Sequence, residues 1–200
     1  MYQKYHTEAL VLGSYELGEA DRNIVLFTKD FGLVRARASA VRTESSKMRY
    51  ALQSYTHANV SLVKGKRGWR VAGATALRTA VGDPLGVATF ARIAELSVRM
   101  LAGQEQNEYL FAALTEAHSA LMQPAVAAYG MIEIVCVARM LYSLGYISNE
   151  AMQTAPARTA VWSGGLFTHT AYTGESLLEA ETMKDKLLTS INKAIAETHL

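Results

Sequence analysis

Apolar and polar residues alternate along the first eighty positions and then recur every three or four. His6 to Tyr15, with Ala9 to Leu12 at its centre, reads as a strand, and the Gly18-containing stretch after it as a turn. Arg22 to Thr28 is rich in β-formers, Lys29-Asp30-Phe31-Gly32 makes a tight turn, and Leu33 to Ala40 reads as the third strand. Successive side chains on a strand point to opposite sides. Val34, Ala36, Ala38 and Ala40 therefore share one face of the third strand, and Arg35, Arg37 and Ser39 share the other. Residues 41 to 53 are polar, then weakly helical, with no alternation. Ser54 to Val63 and Trp69 to Leu77 are two more strands, joined by the basic turn Lys64-Gly65-Lys66-Arg67-Gly68. Five strands, with one longer insertion between the third and fourth, predict a five-stranded OB-fold barrel, which often binds oligonucleotides.

From Asp83 the period changes. Asp83-Pro84 is a helix start, a capping carboxylate followed by proline at the first helical position. Val87, Phe90, Ala91, Ala94, Val98 and Leu101 recur at helical spacing until Gly103. Asn107 opens a second helix. A third, from about Ala125 to Leu144, is apolar nearly all round and predicts the centre of a bundle. Glu133 and Arg139 interrupt its middle, which argues against a membrane span. Gly164-Gly165 predicts a short β-hairpin, and Ser176 to Thr198 a last helix. The expected fold class is α+β: an OB-fold nucleic-acid-binding domain over 1–80, then a mainly helical domain over 83–200.

Charge divides the chain at the same place. Residues 1–80 carry 13 Lys and Arg against 6 Asp and Glu, a net +7, and residues 81–200 carry 7 against 12, a net −5. Within Arg22 to Arg70 there are 11 basic residues and two acids, Asp30 and Glu44. A polyanion is the partner such a bias predicts. A single cysteine, Cys136, excludes an internal disulfide framework and any multi-cysteine zinc site. The start of the chain has no long apolar region or small-residue cleavage site, so a cytoplasmic location without export is expected.

Catalytic motifs are missing. Lys64 to Trp69 lacks phosphate-loop spacing, the five histidines are scattered, and Ser163-Gly164-Gly165 is no nucleophile elbow. Neither a carboxylate cluster nor a nucleophilic lysine motif supports a nuclease or ligase. Cys136 sits in the most apolar helix, where a structural thiol is the simpler reading. What the sequence does offer is a cationic set on or near one side of the barrel: Arg35, Arg37, Arg42, Lys47, Arg49, Lys64, Lys66, Arg67 and Arg70. These could hold phosphates and release counterions, while Tyr50, Tyr55 and Trp69 could stack bases. A solvated face with a few core aromatics is the plainer alternative.

The run from Glu8 to Arg42, followed by Ser45 to Trp69, resembles the RecO family of bacterial recombination and repair mediators. The shared features are the turn Gly18 to Arg22, the Leu26 to Gly32 turn, the basic stretch Arg35 to Arg49, and Leu52 to Tyr55 leading into the fourth strand. The helical half resembles the family more loosely, through the Leu141 to Tyr146 stretch. The resemblance implies an OB-fold on a helical domain, binding of single- and double-stranded DNA, and annealing of complementary strands. It also implies contact with the acidic tail of the single-stranded-DNA-binding protein and cooperation with RecR in loading recombinase, with no cofactor and no catalysis. This chain departs from the family at Ser39 and Ala40, where a basic residue and glycine are usual, and at Ser54, where proline is usual. Relatives often carry a four-cysteine zinc module after the central helix; Tyr146 to Thr173 has no cysteine here, so no zinc is expected. A second reading is an interaction module whose basic barrel docks an acidic protein tail.

Overall fold

The computed structural model describes residues 3–101, 103–123, 128–147 and 165–198. Five strands form a closed barrel: β1 (Lys4–Leu17), β2 (Asp21–Thr28), β3 (Gly32–Ala38), β4 (His57–Gly65) and β5 (Gly68–Arg78). Strands β1, β2 and β3 are a meander, β3 runs parallel to β5, and β4 pairs antiparallel with both β5 and β1. This is the OB-fold order that the spacing of strands predicts.

The apolar runs at the centre of β1 and β2 are buried on both faces. Ala9, Val11, Ile24 and Leu26 point into the barrel with Val34, Ala36, Val60 and Leu62. Leu10, Leu12, Val25, Phe27 and Leu33 point out of it and join the helices in a second core. A register shift at Leu12, between the pairs Val11↔Leu26 and Gly13↔Val25, bends β1 at this junction. Phe27 lies 6.0 Å from Phe111, and Tyr55 stands edge-on to Phe90 at 5.9 Å.

The third strand is shorter than its alternation suggests. It ends at Ala38, and Ala40 is exposed at φ 52 instead of joining the inner row. The Ala40 N–H donates to Asp21 Oδ1 at 2.8 Å, which fixes this left-handed turn. Residues 41–53 then form successive turns rather than a helix, with Val41 and Leu52 buried in the barrel core. The turn before β3 needs glycine for two reasons. Gly32 has φ +61, and a Cβ there would fall 2.2 Å from the Glu105 carbonyl oxygen.

The helices are α1 (Pro84–Met100), α2 (Glu108–Leu121), α3 (Tyr129–Ser143), the short α4 (Gly165–Thr168), α5 (Gly174–Thr182) and α6 (Lys184–Glu197). Asp83 and Asn107 cap α1 and α2 by accepting from the Leu85 and Leu110 N–H groups. The two charges inside α3 both have partners. Glu133 accepts two bonds from Arg92 of α1, at 2.7 and 2.6 Å. Buried Arg139 donates to the carbonyls of Leu166, Thr170 and Ala171 and lies 4.6 Å from the Tyr172 ring centroid. Cys136 is fully buried, and burial pushes its thiol up to about 11, as befits a packing residue.

Two expectations need correction. The predicted hairpin falls partly outside the described residues, and Gly165–Thr168 forms the helical turn α4 instead of its second arm. The expected last helix is two, α5 and α6, broken at Met183, where φ is −117. Among the described residues no helix is long and apolar enough to cross a membrane.

Candidate nucleic-acid interface

The cationic surface is built by the two-residue period of β3. With Val34, Ala36 and Ala38 buried, Arg35 and Arg37 must point outward, and both are exposed. The parallel bridge between β3 and β5 sets Arg37 beside Arg70 and Ala36 beside Trp69. Like charges on facing positions of neighbouring strands repel, and the Asp21 carboxylate beside Arg37 offsets part of that repulsion. The β4–β5 turn closes at Gly65↔Gly68, with Gly68 at φ +101, and raises Lys66 and Arg67 at its tip.

Together these elements border a cleft of about 580 Å³ lined by Arg35, Arg37, Lys66, Arg67 and Arg70, with Leu17, Asn23 and Trp69 completing the walls. Asp21 tempers it. Its Oδ2 accepts from Arg37 Nε at 2.8 Å, while the Ala40 N–H and then Arg37 hold its carboxyl below the usual carboxylate range. Asp21 thus aims Arg37 along the strand face.

The nine cations of the sequence reading do not form one patch. Arg42 and Arg49 line a separate pocket of about 340 Å³ together with Arg22. Lys47 is exposed on the insertion and borders neither cavity. Lys64 places its Nζ 5.2 Å from the Trp69 ring centroid.

The aromatic residues sort differently from the expectation. Trp69 is only 7% exposed; its ring packs against Tyr5 and Phe31, and its Nε1 donates to Gln104 Oε1 at 3.2 Å. That packing occupies the ring which a stacked base would need, so Trp69 ties the barrel to the α1–α2 connection instead. Tyr55, at φ 67, packs against Phe90. Tyr50, at 68% exposed, is the member of the three with an open ring.

Sequence reasoning missed Asn23, Leu17 and Arg22. The first had a signal, since Asn23 faces outward opposite Arg37 once the β2–β3 register is drawn. Leu17 had none, because a leucine at a strand end reads as core.

Residues 1–77, the span of the barrel, match the family model described as recombination protein O N terminal. Over this stretch the chain is similar to the RecO family. Two relatives illustrate the match. The DNA repair protein RecO of Desulfitobacterium hafniense (strain DSM 10664 / DCB-2) is 44% identical over 62 residues, 31% of this chain and 23% of that protein. The DNA repair protein RecO of Nocardioides sp. (strain ATCC BAA-499 / JS614) is 42% identical over 62 residues, 31% of this chain and 25% of that protein. The matched stretch therefore spans about a quarter of the length of these relatives. In this chain, the matched barrel carries Arg35 and Arg37 on the outward row of β3 that begins with helix-covered Leu33.

Proposed function

We propose that this protein is a DNA-binding mediator of recombination and repair. It holds single- and double-stranded DNA on the cleft between β3 and the β4–β5 turn and anneals complementary strands. With RecR it assists recombinase loading on strands coated by the single-stranded-DNA-binding protein, acting in the cytoplasm as a binding protein rather than an enzyme. The observation that carries this reading is the convergence of Arg35, Arg37, Lys66, Arg67 and Arg70 from three segments on one open cleft of a RecO-type barrel. Guanidinium forks and lysines hold phosphate oxygens without reading bases, which suits a protein that must accept any sequence. The domain division at residues 80–83 gives this role two parts, a basic barrel for the nucleic acid and an acidic helical half for other contacts.

The test is annealing of complementary oligonucleotides pre-coated with the cognate single-stranded-DNA-binding protein. The proposal expects acceleration over the coated strands alone, and unchanged rates on both coated and bare strands would contradict it. Displacement of DNA by an acidic tail peptide would favour the alternative of a tail-docking module.

A further inference from the structure

Arg22 breaks the pattern of its own strand. Alternation places Arg22, Ile24 and Leu26 on the inner row of β2, and the register pairs Arg22 with Ala38, so a half-buried arginine stands at the end of an apolar row. Its Nε is buried and has no hydrogen-bond partner among the described residues. A buried donor on a charged group is costly unless something accepts from it.

Two further arginines close on the same pocket. Arg42 is aimed by its own backbone N–H, which donates to the Ala20 carbonyl at 3.1 Å, and by Nη1, which donates to the Gly18 carbonyl at 3.2 Å. Arg49 comes from the far end of the insertion. The nearby carboxylates leave the pocket cationic: Asp21 is turned to Arg37 and Ala40, and Glu16, which meets Arg42 at 3.2 Å, is 60% exposed and weakly held. The pocket shares no lining residue with the main cleft.

We propose that Arg22, Arg42 and Arg49 form a second anion site that takes the terminal phosphate of a polynucleotide chain. This rests on the reading of the barrel as a nucleic-acid binder. Val41 and Leu52, at 3% and 1% exposed, are the buried apolar part of the lining, so its charge comes from the three guanidinium groups. A terminal phosphate carries nearly two charges and three free oxygens, against one charge and two free oxygens for an internal phosphodiester. Three guanidinium forks match the former.

The experiment is a fluorescence titration of one short single-stranded oligonucleotide in three forms: a phosphate at one end, at the other end, or hydroxyls at both. One phosphorylated form binds about tenfold tighter than the hydroxyl form. Inorganic phosphate at millimolar concentration removes that advantage. Arg49→Gln, on the exposed insertion, and Arg22→Met bring the ratio close to one, and Arg49→Gln suffices where the interior substitution fails to fold. The double variant Arg35→Ala with Arg37→Ala weakens all three forms and keeps the ratio. Equal binding of the three forms, or a ratio that survives Arg49→Gln, overturns the terminal site while leaving the DNA reading intact. Binding of none overturns both.

Discussion

Two stretches of the same outward-facing rows meet opposite fates. On β2 the row runs Phe27, Val25, Asn23, and on β3 its cross-strand partners run Leu33, Arg35, Arg37. Phe27 and Leu33 are covered by the helices; two residues further along, Arg35 is in water, and the next pair, Asn23 and Arg37, lines the cleft. The two stretches share one strand pair and one register; the covered one carries apolar side chains and the open one Arg35, Arg37 and Asn23. The contrast shows that the exposed cationic wall of this barrel begins where its second hydrophobic row stops.

The sharpest way to break the contrast is on the covered side. Phe27→Ala removes a fully buried ring that touches Phe111, and a loss of about 3 to 5 kcal/mol in urea unfolding is expected. Oligonucleotide affinity of the folded fraction should not change. Loss of affinity without loss of stability would show that the two sides are not separate.

Acid should loosen the covered side next. His118 is fully buried, edge-on to Phe90 at 4.9 Å, and burial pushes its pKa down to about 4 from the usual 6.5. Below its ordinary value the unfolded chain takes up a proton that the folded chain excludes. The stabilisation is therefore complete above about pH 6.5 and declines as pH falls toward 4. His57, whose pKa burial also lowers, acts in the same direction. Between about pH 7 and pH 5 the urea midpoint should fall by the equivalent of about 2 kcal/mol, and His118→Leu should flatten that slope. Identical slopes for the two proteins would remove His118 from the account.

The smallest effect lies at the edge of the open side. Ala40 sits in the left-handed region, which costs an L-residue about 1 to 2 kcal/mol, whereas glycine adopts it freely but loses more entropy on folding. Ala40→Gly should therefore raise stability by less than about 1 kcal/mol, seen as a small rise in Tm. A fall in Tm would mean that the turn depends on the methyl group.

Much of this arrangement was legible in the sequence. Alternation and β-forming runs located the strands, and Asp83 and Asn107 marked helix starts. Long-range partners were not legible. Trp69 reads as a stacking residue until Tyr5, Phe31 and Gln104 arrive from elsewhere in the chain. The nine cations read as one surface because sequence does not reveal that the 41–53 insertion folds over the barrel's inner row and takes Arg42 and Arg49 away from Arg35 and Arg37. The break at Met183 had no signal, since apolar spacing continues through it.

The central claim is that the row which turns from Leu33 to Arg35 and Arg37 is where the barrel meets a phosphate backbone. Fluorescence titration of a single-stranded oligonucleotide over a range of salt concentrations tests it most directly, comparing the parent protein with Arg35→Ala/Arg37→Ala. Five cleft cations predict that log affinity falls with log salt at a slope of about 3.5, and the double variant should lower that slope by roughly 1.4 for every base sequence alike. A parent affinity indifferent to salt, or a double variant with the parent's slope, would contradict it.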